Sequence, residues 1–197
     1  MNKVEFIKTA LTESAAVKRA IERECSEEIL KVTELIINVF RNGKKLLLCG
    51  NGGSAADSQH IAAEFMIRLS HDLDRPAIPA IALTTDTSLL TAGGNDIGYD
   101  NVFARSVEGL GNEGDILIGI STSGNSSNVI KAIQMAKNRG MKTVGFLGGS
   151  GGKILSMVDS AIVIPSDSTQ RIQEGHITIA HIICELVERE LYGNCKV

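Results

Sequence analysis

The chain has 197 residues, 43% of them hydrophobic and 22% charged, the usage of one ordinary globular domain, which excludes disordered, fibrous and collagen-like classes. Its net charge of −3 comes with no basic run longer than Lys44-Lys45, so no nucleic-acid surface is expected and a bound anion must be held by local donors. No apolar run reaches membrane-spanning length, and the charged amino-terminal stretch lacks the apolar centre of a secretory signal, so a cytoplasmic protein is expected.

Residues 2–41 repeat apolar positions at helical spacing, as in Ile29, Val32, Leu35, Ile36 and Val39, with neither Gly nor Pro, and read as two helices. This is an amino-terminal helical element, 1–42, added to a unit spanning 43–197, the two forming one compact body. From there short apolar runs alternate with helical patterns. Strands are expected at 45–49, 78–83, 116–120, 143–147 and 161–164, with helices starting near Ser54, Asp86, Asn101, Ser126, Gly152 and Thr169, the last running to about Leu191. Continuous runs such as ILIGI and AIVI suit strands buried on both faces, and the βα alternation implies parallel pairing, so the fold class is a three-layer α/β protein. Cys25, Cys49, Cys184 and Cys195 show no C-x-x-C spacing and fall in helix-like or strand-like stretches, as reduced thiols do.

The first strand runs into Gly50-Asn51-Gly52-Gly53-Ser54 and then a helix. Glycines let main-chain N–H groups approach an anion, and a helix start adds its partial positive charge. Gly50, Gly52 and Ala55 also satisfy G-x-G-x-x-A, but the acidic residue that a dinucleotide site wants at the end of the second strand is missing, since Asp72 and Asp74 precede Pro76. No Gly-Lys-Ser/Thr closes the turn, which excludes a P-loop. After the third strand, Ser121, Thr122, Ser123 and Ser126 surround Gly124 at another helix start. One or two hydroxyls would cap a helix; this many suit a phosphate monoester without Lys or Arg. LGGSGG at 147–152 offers a single hydroxyl and reads as a flexible turn. His60 and Glu64 share a helix face at a spacing of four, which fits a solvated pair as well as a metal or acid/base site. Gln173 and His181 are separated by about 12 Å of helical rise, so their side chains could only just converge on one ion. Asn95-Asp96 reads most simply as a turn closed by Asx hydrogen bonds.

GNGGS after the first strand and STSGNS after the third, with HIAAE at 60–64, GGNDIGYDNVF at 93–103 and RIQEGHITIAHIICELVE at 171–188, resemble the sugar isomerase (SIS) domain family over nearly the whole chain. The resemblance implies a flavodoxin-like five-stranded parallel sheet and a homotetramer with active sites at subunit junctions. It further implies one Zn²⁺ per subunit held by His60, Glu64, Gln173 and His181, although a Gln oxygen is an unusual zinc ligand. Asn51, Gly52, Gly53, Ser54, Asn95 and Asp96 match substrate-contact positions, as do Glu64 and Gln173, while Ser121, Thr122, Ser123 and Ser126 match the phosphate loop. His176 matches a position of less certain role and reads as a satisfied helix histidine. The implied activity is isomerisation of D-sedoheptulose 7-phosphate to D-glycero-D-manno-heptose 7-phosphate through a cis-enediol, with Glu64 as base and His181 as acid, supplying heptose for bacterial lipopolysaccharide, capsule or another surface glycan. The rival from another class is a non-catalytic SIS adaptor similar to those that assist the bacterial replication initiator. Such proteins replace catalytic positions that here are all present. A sugar-phosphate sensor or a hexose phosphate isomerase is a further reading, since sugar length depends on pocket depth.

Overall fold

A computed structural model describes residues 2–193, so Cys195 lies outside the described residues. The elements in chain order are α1 (Lys3–Arg41), β1 (Leu46–Gly50), α2 (Gly53–Met66), β2 (Ala80–Ala82), α3 (Thr87–Asp96), α4 (Val102–Leu110), β3 (Ile116–Ser121), α5 (Ser127–Asn138), β4 (Lys142–Gly148), α6 (Gly152–Leu155), β5 (Ser160–Ile164) and α7 (Thr169–Tyr192), with a short 3₁₀ turn at Tyr99–Asn101.

The amino-terminal segment corrects one expectation: it is a single helix of 39 residues, not two. Nothing within it can break a helix, and its ends are set by chemistry. The Asn2 side chain accepts from the Val4 N–H at 3.0 Å, and the chain leaves at Asn42-Gly43, where Gly43 takes φ +68°. The other departure is β2, which is shorter than the run 78–83 because it lies at the sheet edge and pairs only with β1.

All five strands are parallel in the order β2-β1-β3-β4-β5, the flavodoxin-like order. Side chains alternate across the sheet. Leu46, Leu48, Ile116, Ile118 and Phe146 join a core under α1, α2 and α7, whereas Leu47, Cys49, Leu117 and Leu147 join one under α4, α5 and α6. Both faces are dry, which is why the strands read as unbroken apolar runs. Cys25, Cys49 and Cys184 are free and buried in these layers, and burial pushes the Cys49 thiol up to about 12. Among the described residues no helix is long and apolar enough to cross a membrane. Strand order reverses between β1 and β3, and their carboxyl ends open the crevice where ligands of such sheets bind.

Candidate active site

At the end of β1 the chain must turn at once into α2. A Cβ on Gly50 would sit 2.7 Å from the Ser54 carbonyl oxygen, and Gly52 takes φ +56°. The turn is closed by the Ser54 N–H donating to the Asn51 carbonyl at 3.0 Å and the Ala55 N–H donating to that of Gly52 at 3.1 Å. Neither bond uses the amides of Gly52 and Gly53. At the end of β3, the Ser121 and Ser126 hydroxyls bond each other at 2.9 Å, so one of the two O–H groups is left to donate elsewhere. Gly124 takes φ +64°, and a Cβ there would strike the Gly151 carbonyl.

The two exits are tied together. Asn51 and Asn128, the latter only 3% exposed, exchange amide hydrogen bonds of 2.9 and 2.8 Å across 77 residues of sequence. Ser127 donates to Asp100, and the Tyr99 hydroxyl reaches the Asn51 oxygen at 3.4 Å. Thr122 and Ser123 line a cavity of about 270 Å³ with Gly148, Gly149, Ser150 and Thr169. Residues 148–150 thus wall this cavity as well as turning the chain. Asp167 stands at the same cavity.

From the loops α2 and α7 run packed side by side in the same direction, Gly53 meeting Gln173 and His60 meeting His181. Gly53, Asp57, His60 and Glu64 recur along one face of α2. At the loop end, the Gln173 amide lies so close to Gly53 that a Cβ there would be 2.5 Å from its nitrogen. Two turns further on, His60 Nε2 stands 2.9 Å from Glu64 Oε1 and 3.2 Å from His181 Nε2. One donor atom from each of the three falls within 4.8 Å of the others, the one such cluster of His, Cys, Asp and Glu among the described residues. Two imidazoles and a carboxylate converging in this way are a common zinc donor set. Between the two ends sits Asp57, whose Oδ2 is buried without a partner. Burial pushes its carboxyl up to about 6, against the opposing pull of His60. His176 points instead toward the sheet, with Nε2 at 2.9 Å from the Leu147 carbonyl, and burial lowers its pKa to about 4.

His60, Glu64 and His181 therefore meet, Gly53 meets Gln173, and Asn51 turns to Asn128. Asn95 and Asp96 are not a turn but the exposed end of α3, bonded to each other at 2.7 Å, where the chain goes on to Tyr99. Sequence reasoning missed Asn128, Ser150, Thr169 and Asp57. The signals present were an Asn just inside the helix after the hydroxyl loop and an Asp on the same helical face as His60.

A parallel α/β sheet with hydroxyl and glycine loops joined at its switch point, leading to a His/Glu/His cluster, defines a protein built to hold a small phosphorylated ligand. The SIS domain model matches residues 11–148. The phosphoheptose isomerase of Sulfurimonas denitrificans is 53% identical over 192 residues, covering 96% of this chain and 97% of that one. Among solved structures, phosphoheptose isomerases from Neisseria gonorrhoeae (43% identity, 94% and 98% coverage, TM-score 0.89) and Francisella tularensis (35%, 96% and 100%, TM-score 0.92) share the fold over its length. The chain belongs to the SIS domain family and, within it, to the phosphoheptose isomerases.

Proposed function

We propose that the protein interconverts D-sedoheptulose 7-phosphate and D-glycero-D-manno-heptose 7-phosphate through a cis-enediol. The observation that carries this reading is the convergence of Glu64 and His181 on two helices whose amino-terminal ends meet loops suited to an ester dianion. Moving a proton between C1 and C2 needs one group to take it alpha to the carbonyl and another to serve the oxygen. Glu64 is the base. Its Oε1 is turned to His60, which leaves the second oxygen for the proton. His181 is the acid, imidazole being the side chain suited to proton exchange near neutrality. Ser121, Thr122, Ser123 and Ser126 hold the phosphate, so that binding energy at the far end positions the reacting carbons. Asn51, Gly52, Gly53, Ser54, Asn95 and Asp96 contact the sugar.

His60, Glu64 and His181 fit one Zn²⁺ per subunit, which would polarise the substrate oxygen when bound. The Gln173 amide against Gly53 supports a substrate contact; for it to act as a ligand, its side chain must turn along α7 toward His60. We also infer a homotetramer with active sites at subunit junctions. Supporting this, the His60 side chain is 46% exposed in the single chain, and Ile7, Leu11, Leu30, Ile182 and Leu186 of α1 and α7 face solvent. The setting is cytoplasmic, and the product feeds a bacterial surface glycan such as lipopolysaccharide or capsule.

The test is incubation of the purified protein with sedoheptulose 7-phosphate. An aldose product is expected, and Glu64→Gln should lower turnover by about 10²–10⁴-fold while inorganic phosphate still binds. No product from any seven-carbon phosphate, with or without added Zn²⁺, would return the protein to the non-catalytic adaptor reading.

A further inference from the structure

The Asn51–Asn128 pair decides which polar atoms the first loop can offer a ligand. A reciprocal amide pair is satisfied equally well if both amides are turned over, so by itself it fixes neither. What breaks the tie is the Val129 N–H, 3.0 Å from Asn128 Oδ1. A main-chain N–H can only donate, so the atom facing it must be the Asn128 oxygen, and Asn128 must then present its Nδ2 to Asn51. Asn51 has no choice left. Its Oδ1 accepts from Asn128 Nδ2 at 2.8 Å and from the Tyr99 hydroxyl at 3.4 Å, while its Nδ2 donates once, to Asn128 at 2.9 Å. The Asn128 bond turns this oxygen inward, toward Asn128 and on the side of the Tyr99 hydroxyl, and one N–H remains.

We propose that Asn128 is a positioning residue that locks Asn51 as a pure donor, so that the first loop recognises a ligand oxygen by its lone pairs and not by its proton. A carbonyl or enediolate oxygen meets that requirement. A hydroxyl meets it only as an acceptor. Asn128 touches no ligand itself; it is 3% exposed, at the start of α5, and acts through Asn51. The inference rests on the isomerase reading only for the reaction used as one of two readouts.

Asn128→Asp keeps the shape and both acceptor contacts but removes the N–H that Asn51 Oδ1 needs, so the Asn51 amide meets a repelling oxygen whichever way it is turned and no longer holds its free N–H on the ligand. An acidic side chain in the first turn of a helix is favoured by the helix dipole, which offsets part of its burial. Asn128→Ala, which releases Asn51 without adding charge, guards against misfolding of the first variant. Each is made in the wild-type chain and in Asn51→Ala, and all are compared in kcat/KM and in Kd for sedoheptulose 7-phosphate by calorimetry. One misdirected hydrogen bond predicts a loss of about tenfold in both quantities for Asn128→Asp in the wild-type background. In the Asn51→Ala background the further loss should be under about twofold. Inorganic phosphate, which binds the hydroxyl loop, should keep its affinity throughout. Equal losses in both backgrounds, or a loss of phosphate affinity matching that of the sugar, would overturn the assignment. A wild-type chain that binds the heptose phosphate without turning it over counts against the isomerase reading alone, because the cycle is still read in Kd.

Discussion

Gly53 lies in the first turn of α2 without a left-handed torsion, so its missing side chain answers a packing need. The Gln173 amide occupies the space a Cβ would take, with its nitrogen at 2.5 Å and its oxygen at 2.9 Å from that position. Gly53→Ala should leave the melting temperature unchanged or slightly raised, since Ala gains up to about 1 kcal/mol in a helix. It should still lower kcat/KM by about 10²-fold by displacing Gln173. Thermal melting and steady-state kinetics on one preparation separate the two effects. Asp57 and His176 make opposite contributions to stability in the same pH window. The buried His176 holds its proton only below about 4, while the unfolded imidazole takes one near 6.5, so its contribution is complete above 6.5 and is lost as pH falls to 4. The Asp57 carboxyl keeps its proton up to about 6, against 3.8 ordinarily, so its contribution is complete below 3.8 and is lost as pH rises through 6. In chelator, His176→Gln should make the protein melt lower at pH 6.5 than at pH 4 relative to wild type, and Asp57→Asn the reverse, as scanning calorimetry would report. His60 and Glu64 were legible because a shared helix face and the family pattern coincide on them, and His181 through the family pattern. Asn128 was not, because its partner is 77 residues away and a buried amide has no periodic signature.

The connection between α2 and β2 is held by one buried ion pair. Arg75 and Glu188 have side chains 0% and 3% exposed and bond each other directly. Arg75 also donates to the carbonyls of Phe65 at 2.8 Å and Glu64 at 2.7 Å, while Glu188 accepts from the Leu69 N–H at 3.1 Å. The pair thus closes the last turn of α2, at the Glu64 and Phe65 carbonyls, and fastens it to α7. Arg75→Met alone strands a buried carboxylate and should cost about 3–5 kcal/mol, whereas Arg75→Met with Glu188→Leu should recover most of that. Urea melts of the three chains measure it, and a double variant as unstable as the single one would show that the backbone bonds matter more than the charge. The strands themselves were legible, because a sheet covered on both faces leaves unbroken apolar runs in the sequence. The two misjudged elements are those where neighbours, not pattern, decide. β2 is cut to three residues by having one partner, and α1 runs on as one helix because nothing in its first half asks it to stop.

At the scale of the molecule, the order reversal between β1 and β3 explains why the glycine and hydroxyl loops and the His/Glu/His cluster share one edge, since α2 carries the first loop directly into His60 and Glu64. α1 does not share in this layout. At about 1.5 Å per residue it is about 58 Å long, more than the sheet beside it needs, and its buried positions begin only at Ile21. Glu13 makes a long contact with Arg171 at the start of α7, and before it Val4, Ile7 and Leu11 form a solvent-exposed stripe at helical spacing. A lone helix of that length gains nothing from holding such a stripe in water, and most helical stability comes from packing an apolar face. Deleting residues 3–12 removes no buried side chain, so cooperative unfolding should persist with a melting temperature close to that of the full chain. Sedimentation should then show a smaller species than the full chain forms. If sites are completed at subunit junctions, the truncated chain should also lose kcat/KM while retaining inorganic phosphate affinity, because the hydroxyl loops belong wholly to one chain. An unchanged sedimentation coefficient would place the assembly contacts on the outer face of α7, at Ile182 and Leu186, instead.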